Sequence, residues 1–173
     1  MAYPSFSSSG GLSARRTSAQ IAALIFGIVF LLIGVLGFIP GITGNYSALY
    51  FSGYESEAVL LGIFQVSVLH NVVHMLFGFA GLAMARTNSS ARLYLVGAGI
   101  LYAVLFLYGL LIPLDSSANF VPFNTADNWL HVVLAVLMIL LGLVLGRSTA
   151  GRSSGSGNHP RSSGNPGEGS IPN

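Results

Sequence analysis

Cysteine and lysine are both absent from this sequence, and only 7% of its 173 residues are charged. Without cysteine the chain can form no disulfide, no thiolate metal site and no cysteine nucleophile. Without lysine it has no Schiff-base chemistry and no lysine general base. A soluble globular domain carries about 25% charged residues, whereas hydrophobic residues make up 53% of this chain. The composition therefore favours a lipid bilayer over water as the partner and environment of the protein.

The hydrophobic residues are concentrated in four runs. Crossing a ~30 Å hydrocarbon core takes a helix of about 20 residues. The runs are close to that length and cover about residues 19–39, 59–85, 93–112 and 128–146. We therefore predict an all-α integral membrane protein, a four-helix bundle over residues 19–146. The first run exceeds the ~7–15 apolar residues of a signal peptide and has no small-residue cleavage site after it, so we interpret it as a retained helix.

The distribution of charge predicts how the helices are oriented. All seven basic residues are arginines, and they lie before the first run, between the second and third, or after the fourth. The opposite side has no arginine but four acidic residues: Glu55, Glu57, Asp115 and Asp127. Positively charged loops of membrane proteins face the cytoplasm. We therefore predict a multi-pass protein of the cell (inner) membrane with both termini in the cytoplasm.

The two ends of the chain differ from the apolar runs in composition. Residues 1–18 are rich in serine, and residues 147–173 are mostly Gly, Ser, Pro and Asn. Such segments bury too little apolar surface to offset the entropy of ordering. We therefore predict a disordered cytoplasmic tail at each end.

The second and fourth runs resemble each other. Residues 69–86 and 130–147 align without gaps, from a Leu-His pair through a glycine to an arginine, and an Ile-Pro pair ends both the first and the third run. This pattern predicts two helix hairpins in the same orientation, which is the arrangement of a parallel repeat. It also places His70 and His131 at the same depth, in the outer half of the membrane.

Polar and ionisable residues interrupt the second and fourth runs at helical spacing. They are His70, Asn71 and His74 on the second run, and Asp127 and His131 on the fourth. The same stripes contain small residues that let helices approach closely: Gly78, Gly81, Gly142 and Gly146. We therefore expect the second and fourth helices to meet along these stripes. The last two glycines could equally pack against a second copy, so a homo-oligomer stays open.

Three interpretations of this polar set stay open. In the first, the side chains hydrogen-bond between helices and specify their packing, with Asp127 also capping the fourth helix. In the second, His70, His74 and His131 hold a metal ion, or level histidines on two helices ligate haem. In the third, the histidines and Asp127 handle protons in the outer half of the membrane. The first is favoured, so we predict no cofactor.

No catalytic motif is found elsewhere in the sequence. It has no nucleophile elbow, no phosphate-binding loop, no pair of carboxylates within one helix and no basic patch of the nucleic-acid-binding type. We therefore expect a structural or interaction protein more than an enzyme. The sequence points to no nucleic-acid partner and identifies no small-molecule substrate.

Several segments of the chain resemble a known family. They are Leu-His-Asn-Val-Val-His at 69–74, followed by Gly78 and Gly81, with Gly-Phe-Ile-Pro-Gly at 37–41 and Asn-Thr-Ala-Asp-Asn-Trp-Leu-His at 124–131. Through these segments the chain resembles an actinobacterial family of small four-helix membrane proteins, domain of unknown function 4383, over about residues 18–148. The resemblance implies four transmembrane helices and an actinobacterial source, and it implies no activity.

Overall fold

The computed structural model of the protein describes residues 15–145. Four helices make up most of this part of the chain: α1, Ser18–Leu36; α2, Val68–Met84; α3, Asn88–Leu111; and α4, Thr125–Val144. Between α1 and α2 lies a small antiparallel sheet of three strands: β1, Thr43–Gly44; β2, Ala58–Leu60; and β3, Phe64–Val66. Most of the two predicted tails (1–14 and 147–173) and Gly146 lie outside the described residues.

Three of these helices, α1, α3 and α4, are long and apolar enough to cross a membrane. The remaining one, α2, is apolar but has 17 residues, which corresponds to about 26 Å of helix. The described chain therefore contains the four apolar helices that were predicted, and α2 is shorter than a typical span.

The second apolar run is not helical throughout. We predicted a helix over 59–85, but residues 58–66 form the antiparallel β2–β3 hairpin, referred to below as the β-hairpin. At its turn, Leu61 and Gly62 have φ angles of 54° and 71°, which a right-handed helix does not contain. A short apolar run fits a buried strand as well as a helix, so hydrophobicity alone gave the wrong assignment.

Each helix begins after a polar residue whose side chain accepts a hydrogen bond from the first turn. These N-cap residues are Thr17, Ser67, Thr87 and Asn124, and all are of the types that satisfy free N–H groups at a helix start. Ser67 lies within the predicted second helix but marks its beginning, because its hydroxyl accepts from the N–H of His70 at 3.1 Å. The caps therefore fix where each helix starts.

The helices pack as two antiparallel pairs, α1 with α2 and α3 with α4, as expected for two helix hairpins. A Cβ atom at Gly27 would lie only 2.9–3.1 Å from backbone atoms of α2, next to Gly78 and Gly81. Gly142 of α4 faces Val96 of α3 in the same way. Our expectation that α2 and α4 meet along their glycines is wrong, because the neighbouring helix of the same pair fills each glycine-lined groove.

Charged residues lie at the two ends of the helices. The arginines among residues 15–145 flank the start of α1, the end of α2 and the start of α3. At this end Gln20 links α1 to the residues after α2, because its Nε2 donates to the backbone oxygens of Ala85 and Arg86 at 3.1 and 2.8 Å. At the opposite end, Glu55 and Glu57 are exposed in the segment before β2. The two ends of the molecule thus carry opposite charge within the described chain.

Candidate functional site

The predicted polar residues lie near the end of the molecule that carries the β-hairpin, at the start of α2 and of α4. His70, Asn71, Asp127 and His131 are buried, and His74 is half-buried. Burying a polar group is unfavourable unless it finds a hydrogen-bond partner. The partners of each side chain therefore indicate what it does.

Asp127 links α4 to the β-hairpin. Its Oδ2 accepts a hydrogen bond from the N–H of Gln65 in β3 at 2.9 Å and another from the N–H of Asn124 at 2.8 Å. The side chain of Asn124 caps α4 and donates from Nδ2 to the backbone oxygen of Ile63 at 2.7 Å. Our prediction that Asp127 is the cap is wrong: Asn124 has that role, and Asp127 completes a capping box from the third helical position.

His70 links α2 to the segment before α4. Its Nδ1 lies 3.0 Å from the backbone oxygen of Pro122, and Nδ1 of His74 lies 3.0 Å from the backbone oxygen of His70. A carbonyl oxygen can only accept, so Nδ1 carries the proton in both rings. The two rings stack with their centroids 4.6 Å apart. The histidines of α2 therefore form one compact unit.

His131 approaches this unit from α4. Its ring centroid lies 5.3 Å from that of Tyr102 and 5.5 Å from that of Phe123. Its Nδ1 is buried and has no hydrogen-bond partner among residues 15–145. Buried polar atoms without a partner are uncommon in native proteins, so this atom calls for an explanation.

Asn71 faces away from the histidines. Its amide packs against Gly37 at the end of α1, where a larger residue would collide with it. Consecutive residues of a helix are about 100° apart around its axis, so Asn71 faces α1 while His70 faces α4. Asn128 packs in the same way against Gly109 of α3. The sequence analysis missed Asn128, because no spacing marks this contact until the helix pairs are known.

Two cavities flank the histidines. The first, of about 90 Å³, lies between α1, the β-hairpin, α2 and α4, and the second, of about 130 Å³, lies between α2, α3, α4 and the segment before α4. His70, His74 and His131 line both cavities, and Asp127 lines the first. The structure thus brings the three histidines together, places Asp127 at their border and leaves Asn71 outside.

The geometry gives little support to a metal or haem site. Among residues 15–145, no group of three or more His, Asp and Glu side chains is placed to hold a metal ion. Pockets for drug-sized ligands measure about 300–1,000 Å³, and both cavities beside the histidines are smaller than that. Neither cavity has room for a haem macrocycle.

A proton pathway would have to continue from the histidines toward the arginine-bearing end. The three histidines and Asp127 do line a common cavity. Next to His74, however, the rings of Phe30, Phe77 and Tyr102 pack against one another with centroids 5.6–6.2 Å apart. The rings of Phe30 and Phe77 supply no relay, so the hydroxyl of Tyr102 is the one group among these three side chains that can exchange a proton.

A family model matches most of the chain. Its description is "Domain of unknown function (DUF4383)", and the match covers residues 20–144, from the first turn of α1 to the end of α4. No curated protein and no solved structure matches the chain. The matched range includes every histidine, glycine and acidic residue discussed above for the described chain.

Proposed function

We propose that this chain, which belongs to the DUF4383 family, is a four-span membrane protein whose buried polar residues fasten an outer β-hairpin to the helix bundle. The role is structural or interaction-based and not enzymatic. The bundle spans the cell membrane with both termini in the cytoplasm and the β-hairpin on the outer side. The implied actinobacterial source stays a prediction.

The contact of Asp127 with the β-hairpin is the observation that carries this proposal. One carboxylate oxygen accepts from backbone N–H groups of two segments, at Gln65 and Asn124, which lie far apart in the sequence. Leaving a buried N–H without its acceptor is unfavourable by about 1–3 kcal/mol, so both bonds to this oxygen matter. A side chain used in this way is committed to holding β3 and α4 together, so it is not free to act on a substrate.

The path of the chain supports four spans. Both α1 and α3 start at the arginine-bearing end, so α2 has to bring the chain back from the end with the β-hairpin. At about 26 Å, α2 is a few ångströms shorter than a ~30 Å hydrocarbon core. Local thinning of the bilayer accommodates such a mismatch at modest cost. A chain with three spans and a non-spanning α2 would separate the packed partners α1 and α2.

The orientation can be tested directly, because the chain contains no cysteine and any introduced thiol is unique. Ser117 lies in the exposed segment between α3 and α4, and Ser89 is exposed in the first turn of α3. A membrane-impermeant maleimide should label Ser117→Cys in intact cells and Ser89→Cys only after permeabilisation. The reverse pattern would contradict the orientation, and labelling of both in intact cells would contradict the spans.

The fastening role is tested separately by the stability of Asp127 variants. If the carboxylate holds β3 to α4, its removal lowers the free energy of unfolding without changing the topology that the maleimide reports. Normal stability after Asp127→Ala would count against the structural role and leave the four-span arrangement untouched.

A further inference from the structure

A groove lies at the arginine-bearing end of the molecule, between the start of α1 and the end of α2. Its volume is about 460 Å³, which is within the range of pockets for small ligands, about 300–1,000 Å³. Its lining includes three arginines, one glutamine and two leucines: Arg15, Arg16, Arg86, Gln20, Leu24 and Leu82. The β-hairpin is fastened at the other end, so the proposed structural role does not use this groove.

Gln20 holds the two sides of the groove together. Its Oε1 accepts a hydrogen bond at 2.9 Å from the N–H of Thr17, the residue after the arginine pair. Its Nε2 donates to the backbone oxygens of Ala85 and Arg86. One amide therefore fixes the backbone at the start of α1 beside the backbone that follows α2. A site whose backbone is fixed in advance loses less conformational freedom when a ligand binds.

The three arginines of the groove are exposed, and they have no acidic neighbour within residues 15–145. All four acidic residues of that range lie at the opposite end, and the fifth in the chain, Glu168, is outside it. A guanidinium group is always charged, and its planar fork donates two parallel hydrogen bonds to a phosphate. Three such groups around one groove select an anion with several oxygen atoms, such as a phosphate group.

Part of the groove is apolar, and a free anion would make no use of this part. Leu24 and Leu82 line it. One turn further from the arginine-bearing end, Ile28 of α1 and Phe79 of α2 are 49% and 56% exposed. Apolar side chains therefore continue from the groove along the outside of the α1–α2 pair. A phosphate group that carries a hydrocarbon chain would contact both parts.

We propose that this groove binds the headgroup of an anionic phospholipid. The phosphate oxygens accept hydrogen bonds from the three arginines, and an acyl chain lies along Leu24 and Leu82. The inference rests on the proposed four-span arrangement, which places this end in the cytoplasmic leaflet, where anionic lipids attract basic residues. It does not rest on the fastening role of Asp127. The positive-inside rule explains on which side arginines lie, but it does not require two distant segments to line one groove.

The test compares two lipids with the same acyl chains. Phosphatidylglycerol has a net negative charge, whereas the choline of phosphatidylcholine neutralises its phosphate. Each is titrated into the full-length protein, labelled with ¹⁵N-glutamine, in micelles of an uncharged detergent. The chain contains two glutamines, Gln20 in the groove and Gln65 in β3, so the second side-chain amide is an internal control.

Phosphatidylglycerol should shift the side-chain amide resonance of Gln20 and leave that of Gln65 in place. One arginine near a membrane surface favours an anionic lipid roughly fivefold. Two or more acting together predict that phosphatidylglycerol reaches half of its shift at a mole fraction about twentyfold or more below that of phosphatidylcholine. Equal mole fractions for the two lipids, or equal shifts of the two glutamines, would overturn the proposal.

Two variants with the same net charge locate the site. The groove variant replaces the three groove arginines by alanine: R15A/R16A/R86A. The control variant does the same to the three arginines after α4, which lie outside the described residues: R147A/R152A/R161A. The groove variant should bring the preference for phosphatidylglycerol close to one, and the control should keep it. An equal loss in both would assign the preference to overall charge and overturn the groove. If the groove variant does not fold, Arg86→Ala alone should weaken the preference roughly fivefold, and an unchanged preference would refute the site.

Inorganic phosphate distinguishes a lipid headgroup from a free anion. An equal concentration of phosphate should not displace phosphatidylglycerol, because phosphate makes no contact with the apolar part of the groove. Displacement would assign the groove to a free anion and overturn the lipid. Maleimide labelling of Ser117→Cys and Ser89→Cys reports the spans independently. Failure of the lipid site with a normal labelling pattern is therefore distinguishable from failure of the four-span proposal.

Discussion

Replacing Asp127 tests the link between the β-hairpin and α4 more sharply than any other change. Asp127→Ala removes the acceptor of two backbone N–H groups, at Gln65 and Asn124. The carboxylate is 4% exposed, so water does not replace it without a local opening of the structure. Asp127→Asn retains one oxygen acceptor and replaces the other oxygen by an NH₂ group. The two variants therefore separate the loss of the acceptor from a change at the second oxygen.

The expected losses of stability follow from the number of hydrogen bonds that each variant removes. Leaving a buried donor without a partner is unfavourable by about 1–3 kcal/mol. Part of this is recovered because Gln65 and Asn124 are only partly buried. We expect Asp127→Ala to lower the free energy of unfolding by about 2–4 kcal/mol. For Asp127→Asn, which keeps an oxygen acceptor for the two N–H groups, we expect no more than about 1 kcal/mol.

The measurement is unfolding of each variant in mixed micelles, followed by circular dichroism as the fraction of denaturing detergent increases. Asp115→Ala is the matched control, because this acidic residue lies in the segment between α3 and α4 and is exposed. Exposed substitutions of this kind change stability by no more than about 0.5 kcal/mol. If Asp127→Ala unfolds at the midpoint of Asp115→Ala, or if the asparagine variant is as unstable as the alanine variant, the reasoning is refuted.

Two further predictions concern changes to or from glycine and use the same unfolding measurement. Gly109→Ala should lower the free energy of unfolding by about 1–3 kcal/mol, because its methyl group would collide with Asn128. Gly97→Ala is the matched variant in the same helix. Its methyl group meets open space, so it should leave the stability unchanged or raise it by up to about 1 kcal/mol. Equal effects would show that the contact with Asn128 is unimportant. Leu61→Gly should raise the free energy of unfolding by about 1 kcal/mol, because a left-handed backbone is unfavourable for leucine. Gly62→Ala should lower it, because the same backbone conformation is unfavourable for alanine. A loss of stability in Leu61→Gly would mean that its side-chain contacts outweigh the strain.

Hydrophobicity predicted the helices and failed at the β-hairpin. A run of about 20 apolar residues has few alternatives to a helix in a membrane, and α1, α3 and α4 follow that rule. Residues 58–66 are equally apolar, but a turn with positive φ at Leu61 and Gly62 turns the chain back on itself. Glycine at such a turn was a visible signal. The leucine before it gave none, because its conformation is imposed by the strands on either side.

The geometry of the candidate site could likewise be predicted only in part. Equal spacing from an arginine placed His70 and His131 at one depth, and both line the same cavities. The direction of each side chain could not be predicted, because one residue along a helix changes it by about 100°. Asn71 therefore faces α1 and not the histidines. The hydrogen bonds of Asp127 to Gln65 and of His70 to Pro122 involve backbone groups, which carry no trace in the residue pattern.

The positions of the interhelical fastenings have a mechanical consequence. Gln20 clamps the helices at the arginine-bearing end, and Asn71 and Asn128 are wedged against glycines near the other end. The hollows lie at the level of these asparagines, beside the histidines and the β-hairpin. Each asparagine keeps the two helices of its pair at a fixed spacing next to the empty volume. The spacing of the helices around the cavities therefore depends on these two wedges and not on contents of the cavities.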